Sequence, residues 1–222
     1  MAQIDENTVS VTHQVKVSER AIFYNPEGKG LRVMFAGNSI TQHMPAPAIG
    51  WTYDWGMAAS APEKDYVHLC MAEINKTNSD AAYCICRAGR WEQNWKNGES
   101  VYSEYQAARE FCADVIVLRF VENCAKDGDP AHFMEQYSKY VDFINGSGKA
   151  KLIVTTSFWD STPWNDVIRA YAEKNGYPLV ELSDMGGNPE MKAIGLFEHK
   201  GVAAHPGDRG MAEIAKRIMQ VF

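Results

Sequence analysis

Apolar and β-branched residues gather in five short runs, and each reads as a buried strand of a sheet covered on both faces. The runs are Leu31 to Phe35, Ala81 to Cys86, the VIVLR run between Asp114 and Phe120, Lys151 to Thr156, and Tyr177 to Leu182. Between them the pattern changes to a helical period. Asp65 to Asn75 carries Val67, Leu69, Met71 and Ile74, Val101 to Phe111 forms a second helix, and Gly207 to Val221 sets Met211, Ile214, Ala215, Ile218 and Met219 along one side. Pro130 suits the first position of a helix running to Ile144, with Asp129 as its cap. Pro163 opens another to about Lys174, and Asn175-Gly176 stops it. Short helices are expected around Met57 to Ser60 and Pro189 to Ile194, inside otherwise irregular stretches.

Strands alternating with helices at this spacing predict an α/β domain with a doubly wound, mostly parallel five-stranded sheet, a three-layer α/β/α sandwich of flavodoxin-like type. In such folds the functional loops lie beyond the carboxyl ends of the strands. Ahead of the first core strand, Val9 to Val17 alternates like a strand and Ala21 to Tyr24 reads as a second short one, closed by Asn25-Pro26 and the Gly28-Lys29-Gly30 turn. Residues 1–30 are expected to pack as an extension on a single domain spanning 1–222.

Composition narrows the classes. With 45% hydrophobic and 23% charged residues over 222 positions, the chain can bury a sizeable core. A net charge of -6 disfavours nucleic acid as a partner. No apolar run approaches a membrane span and the N-terminus has no signal-peptide core, so a soluble protein is expected, cytoplasmic or exported after loss of a leader. Five cysteines, an odd and scattered set, do not read as a disulfide framework, and Cys84 and Cys86 lie at strand spacing as buried free thiols. No ligand set accompanies them, so neither a metal nor a cofactor is called for.

The candidate chemistry sits just beyond the strand ends. Leu31 to Thr41, LRVMFAGNSIT, runs from strand into the small pair Ala36-Gly37 and then Asn38-Ser39. On a strand-to-helix turn Ser39 would present its hydroxyl at the sheet's edge as a nucleophile, or else cap the next helix. After the second strand comes Gly89, with Arg87, Arg90 and Trp91 near it. The third strand leads to Glu122-Asn123, the fourth to Phe158-Trp159-Asp160, and the fifth to a long loop ending Ala203-Ala204-His205-Pro206. One edge of the sheet thus gathers a hydroxyl, a bare glycine amide, a side-chain amide and an imidazole, the parts needed for acyl transfer.

These blocks resemble the SGNH hydrolase superfamily, also called GDSL esterases. Gly37-Asn38-Ser39 resembles the family's GDS with asparagine for aspartate, and Phe120 to Asn123 keeps only the asparagine of GxND. HPGDRGMAEIA is close to the family's HP-x-D-x-G-x-x-x-IA ending. The resemblance implies Ser39 as nucleophile and His205 as general base. The amides of Ser39 and Gly89 and the side chain of Asn123 would form the oxyanion hole. The family's aspartate three residues before the histidine is here Val202. The ring would then be held by a backbone carbonyl, or by an acid from elsewhere, with Asp160, Glu198 and Glu122 as candidates.

All six tryptophans fall in or beside the predicted loops, and Trp51, Trp91, Trp95 and Trp159 are expected as flat walls for a sugar ring. Arg87, Arg90 and Arg119 would bind an acidic or hydroxylated group, or pair with carboxylates. The leading expectation is a serine esterase removing a small acyl group, acetyl first, from a small-molecule or carbohydrate ester. The alternatives are a lipase or thioesterase on longer chains and a carbohydrate-binding protein with a vestigial site. A homodimer stays open.

Overall fold

The structure is a computed structural model and describes residues 15–161 and 163–222. Among the described residues seven strands form one sheet: β1 (Val15–Val17), β2 (Ala21–Tyr24), β3 (Arg32–Gly37), β4 (Ala82–Arg87), β5 (Val115–Arg119), β6 (Lys151–Thr155) and β7 (Leu179–Val180). Their order across the sheet is β1-β2-β4-β3-β5-β6-β7. The five predicted strands are β3 to β7 and run parallel, while β1 and β2 add antiparallel to one edge through β4. The N-terminal extension is thus part of the sheet. Its expected strand from Val9 is seen only from Val15, and its earlier residues lie outside the described ones.

Side chains alternate across the sheet and feed two cores. Met34, Ala36, Cys84, Cys86, Ile116, Leu118 and Val154 face one side. Val33, Phe35, Ile85, Val117 and Ile153 face the other. Helices α1 (Tyr66–Ile74) and α7 (Asp208–Met219) cover the second face, with Ile214 and Ile218 fully buried. The first face is covered by α2 (Gly89–Asn94), α3 (Gln106–Glu110), α4 (Pro130–Ile144) and α5 (Trp164–Asn175). The Asp129 carboxylate caps α4 by accepting from the His132 amide at 2.8 Å, and Gly176 closes α5 at φ +67°.

Three local expectations change. The polar stretch after Gly89 folds as α2 and then a long 3₁₀ segment, Trp95–Tyr105, so only the end of the predicted Val101–Phe111 helix is α. Met57 to Ser60 is a turn, and 3₁₀ turns form beside it at Pro47–Ile49 and Pro62–Lys64. The long loop before His205 contains one further turn of helix, α6 (Lys200–Ala203). Cys70, Cys84, Cys86 and Cys124 are buried thiols, whereas Cys112 is exposed.

Strand register positions the site. Gly37, the last residue of β3, pairs level with Arg87 at the end of β4 and with Arg119 at the end of β5. From β3 the chain passes to β4 on one side and from β5 to β6 on the other, so the carboxyl ends of β3 and β5 flank the topological switch point where a doubly wound sheet opens a crevice.

Candidate active site

Just past Gly37 the chain turns back, with the Thr41 and Gln42 amides both donating to the Asn38 carbonyl at 2.9 and 3.0 Å. The next helical turn begins only at Pro47, so Ser39 caps no helix. Only glycine fits at 37, because a Cβ there would sit 1.7 Å from Thr41 Oγ1. The turn points the Ser39 hydroxyl at His205, with Oγ 2.8 Å from Nε2.

The second ring nitrogen fixes the tautomer. His205 Nδ1 lies 2.7 Å from the Gly201 carbonyl. A carbonyl only accepts, so Nδ1 carries the proton and Nε2 is free to accept from Ser39. The partner is supplied by α6, which brings residue 201 to within one helical turn of the histidine. Of the two sequence readings, the backbone carbonyl fills the place, and none of the three candidate acids does. Glu122 is spent in a buried network with Arg119 and Asn38. Glu198 is exposed, and so is Asp160 in the loop after β6. Trp159 backs the imidazole, its ring edge-on at 5.1 Å and its Nε1 donating to the Ala204 carbonyl at 3.2 Å. Burial pushes the His205 pKa down to about 4, with the Arg119 charge acting in the same direction and the Gly201 bond opposing it. The imidazole is therefore neutral at neutral pH.

Gly89 and Asn123 reach the same cleft, a hollow of about 870 Å³ that Ser39 and His205 also line. Gly89 opens α2, where the first amides have no acceptor within the helix. Asn123 is held from below. Its Nδ2 donates to Glu92 Oε2 at 2.7 Å and its amide to Glu92 Oε1 at 3.3 Å. The same carboxylate accepts from the Val121 amide at 2.7 Å and from Asn38 Nδ2 at 3.0 Å. Val121 is thereby kept at φ +138°, a conformation that a β-branched residue rarely adopts and that costs about 1–3 kcal/mol.

Beside Glu92 lies a second buried carboxylate. Glu122 pairs with the fully buried Arg119 at 2.7 Å and accepts from Asn38 Nδ2 at 2.6 Å and the Phe158 amide at 2.9 Å. Arg119 also donates to Asn38 Oδ1. Asn38 therefore sits between two carboxylates and one guanidinium, with both side-chain polar atoms engaged. Burial, and then the nearby Glu122 charge, push the Glu92 pKa up, against its donors. Sequence patterning misses this network. Glu92 stands in a polar stretch that reads as a solvated loop, and nothing local marks one carboxylate as turned inward.

The tryptophans do not wall the cleft. Trp91 and Trp95 are buried under α4 and α5, Trp91 stacked on Tyr140 at 4.8 Å and Trp95 against Trp164 at 5.1 Å. Trp51 is buried in its own small cluster with Met57, Ala58 and Val202, pinning the loop after Ser39. Trp159 supports His205. Arg119 belongs to the buried network, while Arg87 and Arg90 do line the cleft. Among the described residues no group of three or more His, Cys, Asp or Glu could hold a metal ion, and no helix is long and apolar enough to cross a membrane.

No protein-family model and no curated protein matches the chain in sequence. Solved structures do match it in shape. A two-domain esterase active on acetylated mannans, co-crystallised with mannopentaose, superposes with a TM-score of 0.57 at 21% identity, over 89% of this chain and 50% of that one. The chain has the SGNH hydrolase fold. A family two carbohydrate esterase from Cellvibrio japonicus shares it at TM-score 0.55 and 15% identity, over 87% of this chain and 62% of that one. The psychrotrophic esterase EstA from Pseudoalteromonas sp. shares it at 0.53 and 10%, over 86% and 95%. The chain thus spans half the length of the mannan-active protein and nearly all of EstA. Within the SGNH fold, the serine, glycine, asparagine and histidine of the sequence blocks converge on one cleft.

Proposed function

We infer that the chain is a serine esterase that removes a small acyl group, acetyl first, from a hydroxylated compound. The single observation that carries this reading is the 2.8 Å contact between Ser39 Oγ and an imidazole nitrogen left unprotonated by its tautomer. Ser39 Oγ attacks the acyl carbonyl carbon as its proton passes to His205 Nε2. The oxyanion that forms is met by the amides of Ser39 and Gly89 and by the Asn123 Nδ2 proton that Glu92 leaves free. Collapse breaks the bond to the alcohol, which takes the proton from Nε2. Water then attacks the acyl-serine with the same histidine as base, releasing the acid. The imidazolium formed in each step donates Nδ1–H to a carbonyl rather than a carboxylate, a weaker stabiliser.

The cleft favours a small acyl group on one side and a polar alcohol on the other. Met44, Ile49, Met57 and Val202 supply apolar wall, and Glu19, Arg20, Arg87, Arg90 and Glu104 supply charged wall. Among proteins of this fold, one acts on acetylated mannans and another is a carbohydrate esterase. With the tryptophans elsewhere, the sugar reading rests on these neighbours and on the charged wall. One observation favours the longer-chain alternative. A second hollow of about 640 Å³ shares Ile49 and His199 with the cleft and is bordered by Leu196 and Phe197.

A chain-length series of p-nitrophenyl esters decides between them. The expected result is fastest turnover of the acetate, with kcat/KM at least about tenfold lower for the octanoate, and acetate release from acetylated xylan or simple sugar acetates. Preference for the octanoate would assign the second hollow to an acyl chain instead.

The histidine predicts the pH profile. His205 must be neutral to act, and its pKa is lowered to about 4. The acid limb of kcat/KM should therefore fall with a midpoint near 4, well below the roughly 6.5 of an ordinary histidine. A midpoint at about 6.5 or above would mean that a carboxylate, not the Gly201 carbonyl, faces the ring during turnover.

A further inference from the structure

Three guanidinium groups also line the cleft, carried by β4, α2 and the β1–β2 turn, whereas its apolar residues come from the loop after Ser39 and from α6. Arg87 ends β4, level with Gly37 and two residues before Gly89, so it stands beside the oxyanion donors. Arg20 comes from the turn between β1 and β2, and its carbonyl accepts the Arg87 amide at 2.8 Å. Arg90 lies one residue into α2. Two carboxylates, Glu19 and Glu104, line the same wall.

These charges do not cancel. Glu104 is divided between Arg20 at 2.7 Å and Arg90 at 3.4 Å. Arg87 makes no ion pair among the described residues. Its Nη2 donates to the Glu19 carbonyl at 2.6 Å and the Ser18 carbonyl at 3.4 Å, and its Nε is buried without a partner. Carbonyls satisfy hydrogen bonds but leave the charge uncompensated. Burial lowers the Arg87 pKa, and repulsion from the neighbouring Arg20 charge adds to it. An incoming anion relieves that repulsion, and a guanidinium fork matches a carboxylate's two oxygens.

We propose that this wall is a carboxylate subsite, in which Arg87, assisted by Arg20 and Arg90, seats an ionised carboxyl group on the alcohol half of the ester. The apolar wall takes the acyl group, so the charged wall faces the leaving alcohol. The preferred substrates are then acylated acidic sugars of the uronic acid type over their neutral counterparts. This substrate claim rests on the esterase reading; the anion subsite itself does not.

Binding and turnover separate the two. Ser39→Ala protein is titrated calorimetrically with methyl glucuronide and with methyl glucoside, which differ only in a carboxylate against a hydroxymethyl group. The glucuronide should bind at least about tenfold tighter, and the preference should shrink as ionic strength rises from about 0.05 to about 0.5 M. Adding Arg87→Gln should bring the two affinities together. Because Arg87 also ties the β1–β2 turn, the variant's melting curve is recorded, and Arg90→Gln, which touches no backbone in that turn, should lower the preference in part. Equal binding of the two glycosides, or a preference that survives Arg87→Gln in a folded protein, overturns the proposal. Failure of the esterase reading looks different: unsubstituted protein would hydrolyse no ester, while the glucuronide would still bind.

Discussion

Ser39→Ala is expected to lower kcat for p-nitrophenyl acetate by about 10⁴-fold or more while KM stays within a few-fold. The asymmetry comes from the role of the hydroxyl. Before reaction Ser39 Oγ bonds to His205 Nε2, at 2.8 Å, and the substrate is gripped by the cleft walls. Removing the oxygen deletes the bond-forming atom but little of the contact surface. His205→Ala should cost nearly as much, and the double variant should be no worse than either, because nucleophile and base act as one unit. Asn123→Ala is graded differently. It removes one oxyanion donor of three, a loss of about 10²- to 10³-fold. Turnover by Ser39→Ala within about tenfold of the parent would place the nucleophile elsewhere. Absence of turnover in the parent on every acetyl ester would favour a binding protein that has kept the geometry without the activity.

How much of this site can be read in the chain depends on where each group sits. Ser39 and Gly89 each lie two residues beyond a strand end, and those ends are level in the sheet. Hydrophobic runs place both near strand ends, but a strand end alone leaves Ser39 a possible helix cap and Gly89 a possible loop hinge. The GNS and HPGDRGMAEIA blocks single out Ser39 and His205, while Gly89 and Asn123 are assigned by their order between those blocks. The Gly201 carbonyl is illegible in the sequence, since a backbone acceptor leaves no trace in residue type and α6 is too short for a period. Glu92 and Glu122 are hidden for another reason. Charged residues in a polar segment normally face water, and the convergence of Asn38, Arg119, Val121, Asn123 and the Phe158 amide compensates their burial. The tryptophans carry a usable signal that composition obscures. Trp91 and Trp95 are four apart, the spacing of one helix face, and that face is the buried one.

The same network yields an expectation opposite to family habit. Two positions depart from the family's aspartates, Asn38 and Val202, and restoring either should damage the protein. In Asn38→Asp the amide that donates to Glu92 at 3.0 Å and Glu122 at 2.6 Å becomes a third carboxylate, with Arg119 the one cation in contact among the described residues. Two charge-assisted bonds turn into two repulsions in a buried site, a loss of about 3–5 kcal/mol. That corresponds to a fall of roughly 10 °C in Tm for a chain of this size. Glu92 would also release Asn123, so kcat should drop about 100-fold at neutral pH. The deficit should lessen on acidification, as the added carboxyl takes up a proton and regains a donor. Val202→Asp buries a carboxylate among Trp51, Met57, Ala58 and Ala193, at a position only 1% exposed. An unpaired charge there costs several kcal/mol, and His205 Nδ1 has no second proton to offer it, being 2.7 Å from the Gly201 carbonyl. The expected outcome is a lower Tm, no gain in rate and an acid limb still near 4. If Val202→Asp instead raised kcat and moved that limb upward, the carbonyl would be a poor substitute for a carboxylate. If Asn38→Asp were as active and stable as its parent, the Asn38 amide would not be what holds Glu92 and Glu122 in place.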